Sequence, residues 1–207
     1  MNLTKRAALL TLALALVLGL TACGPSGPDM PMEVTIDGHT IALGQTTMSD
    51  LTGLGWKAKL TGAQREIRQN DKYVAFHYNL MVDGGGAGKE FWASVYVPFQ
   101  GHISGGSADI SQEQALAGTE GVVCMVSVRK SAGEDLSISY NGVDLQDITW
   151  DTAKEWGATV KEGEYVTSAE LAAAQGTLSF AESSYNDGEL NELKITMNTN
   201  AFAKLQK

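Results

Sequence analysis

Ser127 and Lys130 stand in Ser127-Val-Arg-Lys130, the spacing at which a lysine one helical turn on can take the proton of a serine nucleophile. That chemistry needs a helix. Here the pair follows the alternating apolar run Gly121-Val-Val-Cys-Met-Val-Ser-Val128, and on a strand residues three apart point to opposite faces. No K-T-G string follows, the nearest being Lys161-Glu-Gly163, so acyl-enzyme chemistry is not expected. Asp83-Gly-Gly-Gly-Ala-Gly88-Lys89-Glu90 has the glycines and lysine of a phosphate-cradling loop. It has Asp83 where the first glycine belongs and Glu90 where a Mg²⁺-holding Ser or Thr belongs, and it joins two strands, so it reads as a flexible hairpin turn. In Gly101-His-Ile-Ser-Gly105 the serine is one place late for a nucleophile elbow. His39, His77 and His102 are scattered without a zinc-ligand spacing, and Met30 and Met32 around Pro31 lack a third soft ligand. The acid pairs Asp147/Asp151, Glu162/Glu164 and Glu189/Glu192 are of a kind that serves acid–base or Ca²⁺ chemistry, but such pairs arise by chance among 24 carboxylates. No catalytic residue, cofactor or metal site is expected.

The chain has two cysteines. Cys124 lies in the apolar run, where Val122, Cys124, Val126 and Val128 alternate onto one strand face, and it reads as a small core residue. Cys23 is different. Lys5 and Arg6 precede an apolar run over residues 7–20, too short to span a bilayer, which takes about 20 apolar residues, and the run ends in Leu20-Thr21-Ala22-Cys23. This pattern resembles the signal and lipobox of bacterial lipoproteins. The resemblance covers residues 1–23. It implies that the Cys23 thiol is diacylglycerylated, that residues 1–22 are a signal peptide removed just before it, and that the acylated (palmitate-type) Cys23 anchors the chain to the cell membrane on its extracytoplasmic face. Two acyl chains suffice for stable attachment, each buried CH₂ contributing about 0.8 kcal/mol.

Fifteen basic and 24 acidic residues give a net charge of −9; residues 1–22 hold Lys5 and Arg6 and no acid, so the remainder carries 13 cations and a net −11. Nucleic acid is an unfavourable partner for such a chain, and no polybasic segment supplements the lipid anchor. Residues 23–32 change composition abruptly, with Pro25, Pro28 and Pro31 among Gly24, Ser26 and Gly27, and they read as an extended, solvated tether.

The elements beyond the tether repeat. Ile36-Asp-Gly-His-Thr-Ile41 and Tyr140-Asn-Gly-Val143 each place a two-residue hairpin turn between apolar residues. Thr47 and Thr149 follow as helix N-caps, Asp50 completes a capping box, and Gly55 and Gly157 stop the helices. The trios Met48, Leu51, Leu54 and Trp150, Ala153, Trp156 each predict one apolar helix face. Strand pairs follow at 73–82 with 90–99 and at 176–185 with 190–197. Residues 111–118 and 167–175 read as further capped helices, and 64–69 as helix or strand. The expectation is an α+β fold with mainly antiparallel sheet, made of two tandem hairpin-helix-hairpin units, 33–110 and 111–207. Units of that kind on tethered envelope proteins resemble the β-lactamase-inhibitor and outer-membrane-assembly lipoprotein type of fold, an analogy that carries no function.

In the first unit, placing Leu80 opposite Trp92 puts Val74, Phe76, Tyr78 and Leu80 on one face with Trp92 and Tyr96; a one-residue slip exchanges the faces. In the second, a two-residue Asp187-Gly188 turn sets Phe180 opposite Ile195 and Leu178 opposite Met197. Phe76, Tyr78, Trp92 and Tyr96 are the candidate partner-binding surface if they face outward, and core if they face inward, which half-buried sheets favour. The function expected is a noncatalytic binding module for a protein or envelope polymer. The alternative is an extracytoplasmic enzyme or solute-binding protein with a cleft between the units.

Overall fold

A computed structural model describes residues 27–65, 73–82, 89–98, 121–133, 136–164, 166–182 and 188–205. The expected signal segment with Cys23, the expected helix at 111–118, His102 and Asp187 lie outside them. The strands, in chain order, are β1 (Glu33–Ile36), β2 (His39–Ala42), β3 (Lys57–Arg65), β4 (Tyr73–Met81), β5 (Glu90–Pro98), β6 (Val122–Arg129), β7 (Ile138–Tyr140), β8 (Val143–Asp144), β9 (Thr159–Glu162), β10 (Thr167–Ala172), β11 (Gly176–Glu182) and β12 (Leu190–Met197). Four short helices join them: α1 (Met48–Gly53), α2 (Lys130–Gly133), α3 (Trp150–Glu155) and α4 (Thr199–Leu205). The fold is mostly antiparallel sheet with few helical turns.

Local chemistry sets the turns and caps as the residues require. Asp37 and Gly38 take φ of 51° and 78°, and Asn141 and Gly142 take 51° and 76°, the left-handed pair that closes β1 to β2 and β7 to β8. Thr47 caps α1, its Oγ1 accepting from the Asp50 amide at 3.1 Å while Asp50 Oδ2 accepts from the Thr47 amide at 2.8 Å. Thr149 caps α3 in the same way, with Thr152 rather than an acid as partner. Met48, Leu51 and Ala153 are buried; Leu54, the third of its expected trio, is 42 % exposed, because the helix ends before its side chain reaches the core.

Two sheets result. The smaller is ordered β2-β1-β7-β8 and the larger β3-β4-β5-β6-β12-β11-β10-β9. In the larger, register alone sorts the side chains. One row runs Leu60, Tyr78, Ala93, Val126, Ile195, Leu178 and Leu171, each opposite the next across seven strands. The row one residue along runs Lys59, Asn79, Trp92, Ser127, Lys194, Ser179, Glu170 and Thr159 across all eight. The first row lies in the core with the buried residues of the small sheet and α1, and each large aliphatic side chain there contributes about 1.5–3 kcal/mol. The second row faces away from that core, so a slip of one residue would turn the apolar set to water.

The structure corrects several sequence expectations. Leu80 pairs with Phe91, and Trp92 with Asn79, one residue from the expected register. The reason lies in β5: Phe91, Ala93 and Val95 are wholly apolar and fill the core, whereas Trp92 and Ser94 carry polar groups. Leu178 pairs with Ile195 and Gly176 with Met197, a shift of two that keeps the expected faces. Residues 167–172, expected to be helical, form β10: Ala169 and Leu171 alternate inward, and the Thr167 amide donates to Glu182 Oε2 at 2.8 Å across the ladder instead of opening a helix. Residues 57–63 and 159–162, for which no strand was expected, belong to the outer strands β3 and β9, and of the segment 64–69, expected as helix or strand, residues 64 and 65 continue β3. Val122 does not join the buried face of β6, because a bulge at Ser94/Val95 places Val123 and Cys124 inward instead.

The expected tether is shorter than composition suggests. Met32 is buried at 9 % exposure and Met30 packs on the core. Pro28 O accepts from the Ala174 amide at 3.1 Å, Pro31 O from the Tyr140 hydroxyl at 3.0 Å, and Met32 O from the Leu43 amide at 2.8 Å. Two methionines supply enough apolar surface to dock what three prolines would leave solvated.

Candidate functional site

The outward row of the larger sheet carries the polar chemistry. Trp92 on β5 is half-buried, and the Arg129 guanidinium from β6 lies 4.5 Å from its ring centroid. Arg129 Nε donates to Glu192 Oε2 on β12 at 3.3 Å, and Ser127 Oγ donates to Glu192 Oε1 at 2.7 Å. Glu192 therefore holds Arg129 over Trp92 through Nε, and the guanidinium Nη groups have no protein partner among the described residues. This positions a planar fork of donors beside an aromatic platform, suited to a carboxylate or another planar acceptor.

Two shallow hollows flank this centre, and Glu192 and Lys194 line both. The one over β4, β5 and β6, reaching His77, Trp92, Met125 and Arg129, measures about 320 Å³. The other, over β9, β10 and β11, with Lys161, Ser168, Glu170 and Ser179, measures about 260 Å³. His77 Nδ1 and Ser94 Oγ share a hydrogen bond of 2.6 Å, but Ser94 is only 3 % exposed, so its hydroxyl is out of reach for attack on a substrate. Cys124 is buried and its thiol donates to the Ser94 carbonyl at 3.3 Å.

The four aromatic residues singled out in the sequence separate. Phe76, Tyr78 and Tyr96 are 5 %, 3 % and 4 % exposed, and Tyr96 meets Phe202 of α4 edge-on at 5.0 Å, so these three are core. Trp92 and Tyr96, four residues apart on β5, share one face of the sheet; Trp92 is half-buried there, whereas Phe202 of α4 covers Tyr96. Burial raises the Tyr78 hydroxyl above its ordinary pKa, and among the described residues its oxygen has no hydrogen-bond partner. Ser127 and Lys130 diverge: Lys130 Nζ donates to the Gln146 carbonyl at 2.9 Å. The acid pairs converge on nothing, and among the described residues no group of three or more His, Cys, Asp or Glu is placed to hold a metal ion. Among those residues, too, no helix is long and apolar enough to cross a membrane.

Sequence reasoning missed Arg129, Glu192, Ser127 and Lys194 as a group. Their signal is faint: each sits at an outward position of an alternating strand, and only the β6–β12 register, joining residues more than sixty apart, brings them together. No family model matches the chain, and no curated protein or solved structure is significantly similar to it.

Proposed function

We propose that the chain is a membrane-anchored extracytoplasmic lipoprotein whose folded part is a noncatalytic module binding a protein or envelope polymer on the open face of its larger sheet. The observation that carries the binding is the Trp92–Arg129–Glu192 stack, an aromatic and cation pair on a face that α4 covers at its Tyr96 end and that is exposed at Arg129 and Lys194. Aromatic residues and arginines are what anchors partners in interfaces. The face is also large enough. Eight strands about 4.8 Å apart and some six residues of about 3.3 Å each give roughly 34 by 20 Å, close to the roughly 800 Å² per partner of a standard interface.

The anchor rests on Leu20-Thr21-Ala22-Cys23 and its preceding charged and apolar segments. A tandem origin is supported by the order of elements: hairpin, capped helix and four strands occur twice, with β6 beside β12 and β1 beside β7 at the sheet centres. The division then falls between β6 and β7, later than residue 110. The cleft-using enzyme or solute-binding protein has less support, since β6 and β12 join the halves as a continuous ladder and no acid–base set lines the hollows.

A photoreactive residue at Ser179, on the open face, and another at Asp151, on α3, separate the readings in cells that make the protein. Discrete adducts from Ser179 and none from Asp151 are expected; no adduct from Ser179, or the same adducts from both, would overturn the binding face. Mass spectrometry of the purified protein is expected to show a lipid-modified Cys23 as its first residue, and an intact Met1 or a free Cys23 thiol would overturn the anchor.

A further inference from the structure

The open face has a charge opposite to that of the chain. Among the described residues, register places Lys57, Lys59, Arg129, Lys161 and Lys194 on it against Glu90, Glu170 and Glu192, a surplus of two positive charges in a molecule of net charge −9. The carboxylates gather elsewhere, with Asp37, Asp50, Asp144, Asp151 and Glu155 on the turns and helices of the opposite layer. Among the described residues Lys57, Lys59, Lys161 and Lys194 make no ion pair, and Arg129 spends only its Nε on Glu192. By contrast Lys154, on α3, is paired with Asp151 at 3.3 Å.

From this arrangement we infer that the open face docks an acidic polypeptide segment. Its carboxylates meet the Arg129 Nη fork at the centre and the unpaired lysines on either side, and an apolar or aromatic side chain of the same segment lies on Trp92. A polypeptide fits better than a polymer of phosphates, because the face alternates cations with hydrogen-bonding Ser168, Thr177, Ser179 and Asn79 and offers only one ordered guanidinium. Electrostatic complementarity of this kind speeds encounter and excludes like-charged competitors. The acidic remainder of the surface repels the same segment, so docking is confined to one side. The inference rests on the open face being the binding surface and adds the chemistry of its occupant.

The test uses the full chain in detergent micelles and a fluorescent peptide of ten glutamates with a central tryptophan. Binding is expected, weakening about tenfold or more as salt rises from about 50 to about 200 mM. Arg129→Gln is expected to weaken it at least about tenfold. The double variant Lys161→Gln/Lys194→Gln, confined to exposed side chains that cannot upset folding, should weaken it by a similar factor, while Lys154→Gln leaves it unchanged. Absence of peptide binding, equal loss in Lys154→Gln, tighter binding of polyphosphate than of the peptide, or salt-sensitive self-association that competes with the peptide would each overturn the acidic occupant. If Ser179 adducts persist in cells when the peptide fails, only the acidic occupant falls. If they are absent as well, the binding face falls with it.

Discussion

At the scale of single residues, the capping box of α1 gives a sharp expectation. Asp50 accepts hydrogen bonds from the Thr47 amide and hydroxyl, and these hold its carboxyl below the ordinary range. Thr47→Ala is expected to cost about 1 kcal/mol in a urea titration at neutral pH. Because the folded pKa of Asp50 is depressed, its contribution is present above the unfolded value of about 3.9 and is lost as pH falls through the folded value. The stability gap between the native chain and Asp50→Ala should therefore be constant near neutrality and close in acid; a gap that persists unchanged well below pH about 3 would contradict this. Tyr78 makes the opposite prediction. Its buried hydroxyl has no partner among the described residues, so Tyr78→Phe should raise stability by about 1 kcal/mol, seen as a higher urea midpoint at unchanged slope.

At the scale of elements, what was legible in the sequence was local. Asp37-Gly38, Asn141-Gly142, Thr47 and Thr149 state their turns and caps within four residues, and all four hold. What failed depends on partners distant in the chain. Residues 167–172 have helix-forming alanines, yet β9 and β11 on either side recruit them as a strand, tertiary pairing overriding propensity. The register of β4 with β5 was undetermined because the loop between them is long and both alternations of β5 contain apolar residues; the choice was made by Phe91, Ala93 and Val95 against the core. That choice set Phe76 and Tyr78 on the face opposite Trp92 and Tyr96, and Phe202 of α4 then covers Tyr96, so the site followed from a register the sequence did not state. Two substitutions probe these elements. A Cβ at Gly176 would run into the Thr196 carbonyl oxygen of the neighbouring strand, so Gly176→Ala should destabilise by about 2 kcal/mol or more. Phe202→Ala removes the ring that meets Tyr96 and should cost about 3 kcal/mol, reported by the thermal midpoint.

At the scale of the whole molecule, one eight-stranded sheet is covered on one side by a small sheet and short helices, and on the other meets α4 at Tyr96 while Arg129 and Lys194 stay exposed. The covered side supplies the stability and the acidic surface, and the open side presents the Trp92–Arg129 stack among unpaired lysines. Residues 28–32 are docked on the folded part against Leu43, Tyr140 and Ala174 instead of extending from it as a solvated tether. The central claim is that binding occurs through the open face. Its most direct test is a titration of the partner identified from Ser179 adducts against the purified native chain and against Trp92→Ala. The account predicts affinity at least about tenfold lower in Trp92→Ala, a loss of about 1.4 kcal/mol, with the thermal midpoint little changed. Equal affinity for the two chains would contradict it.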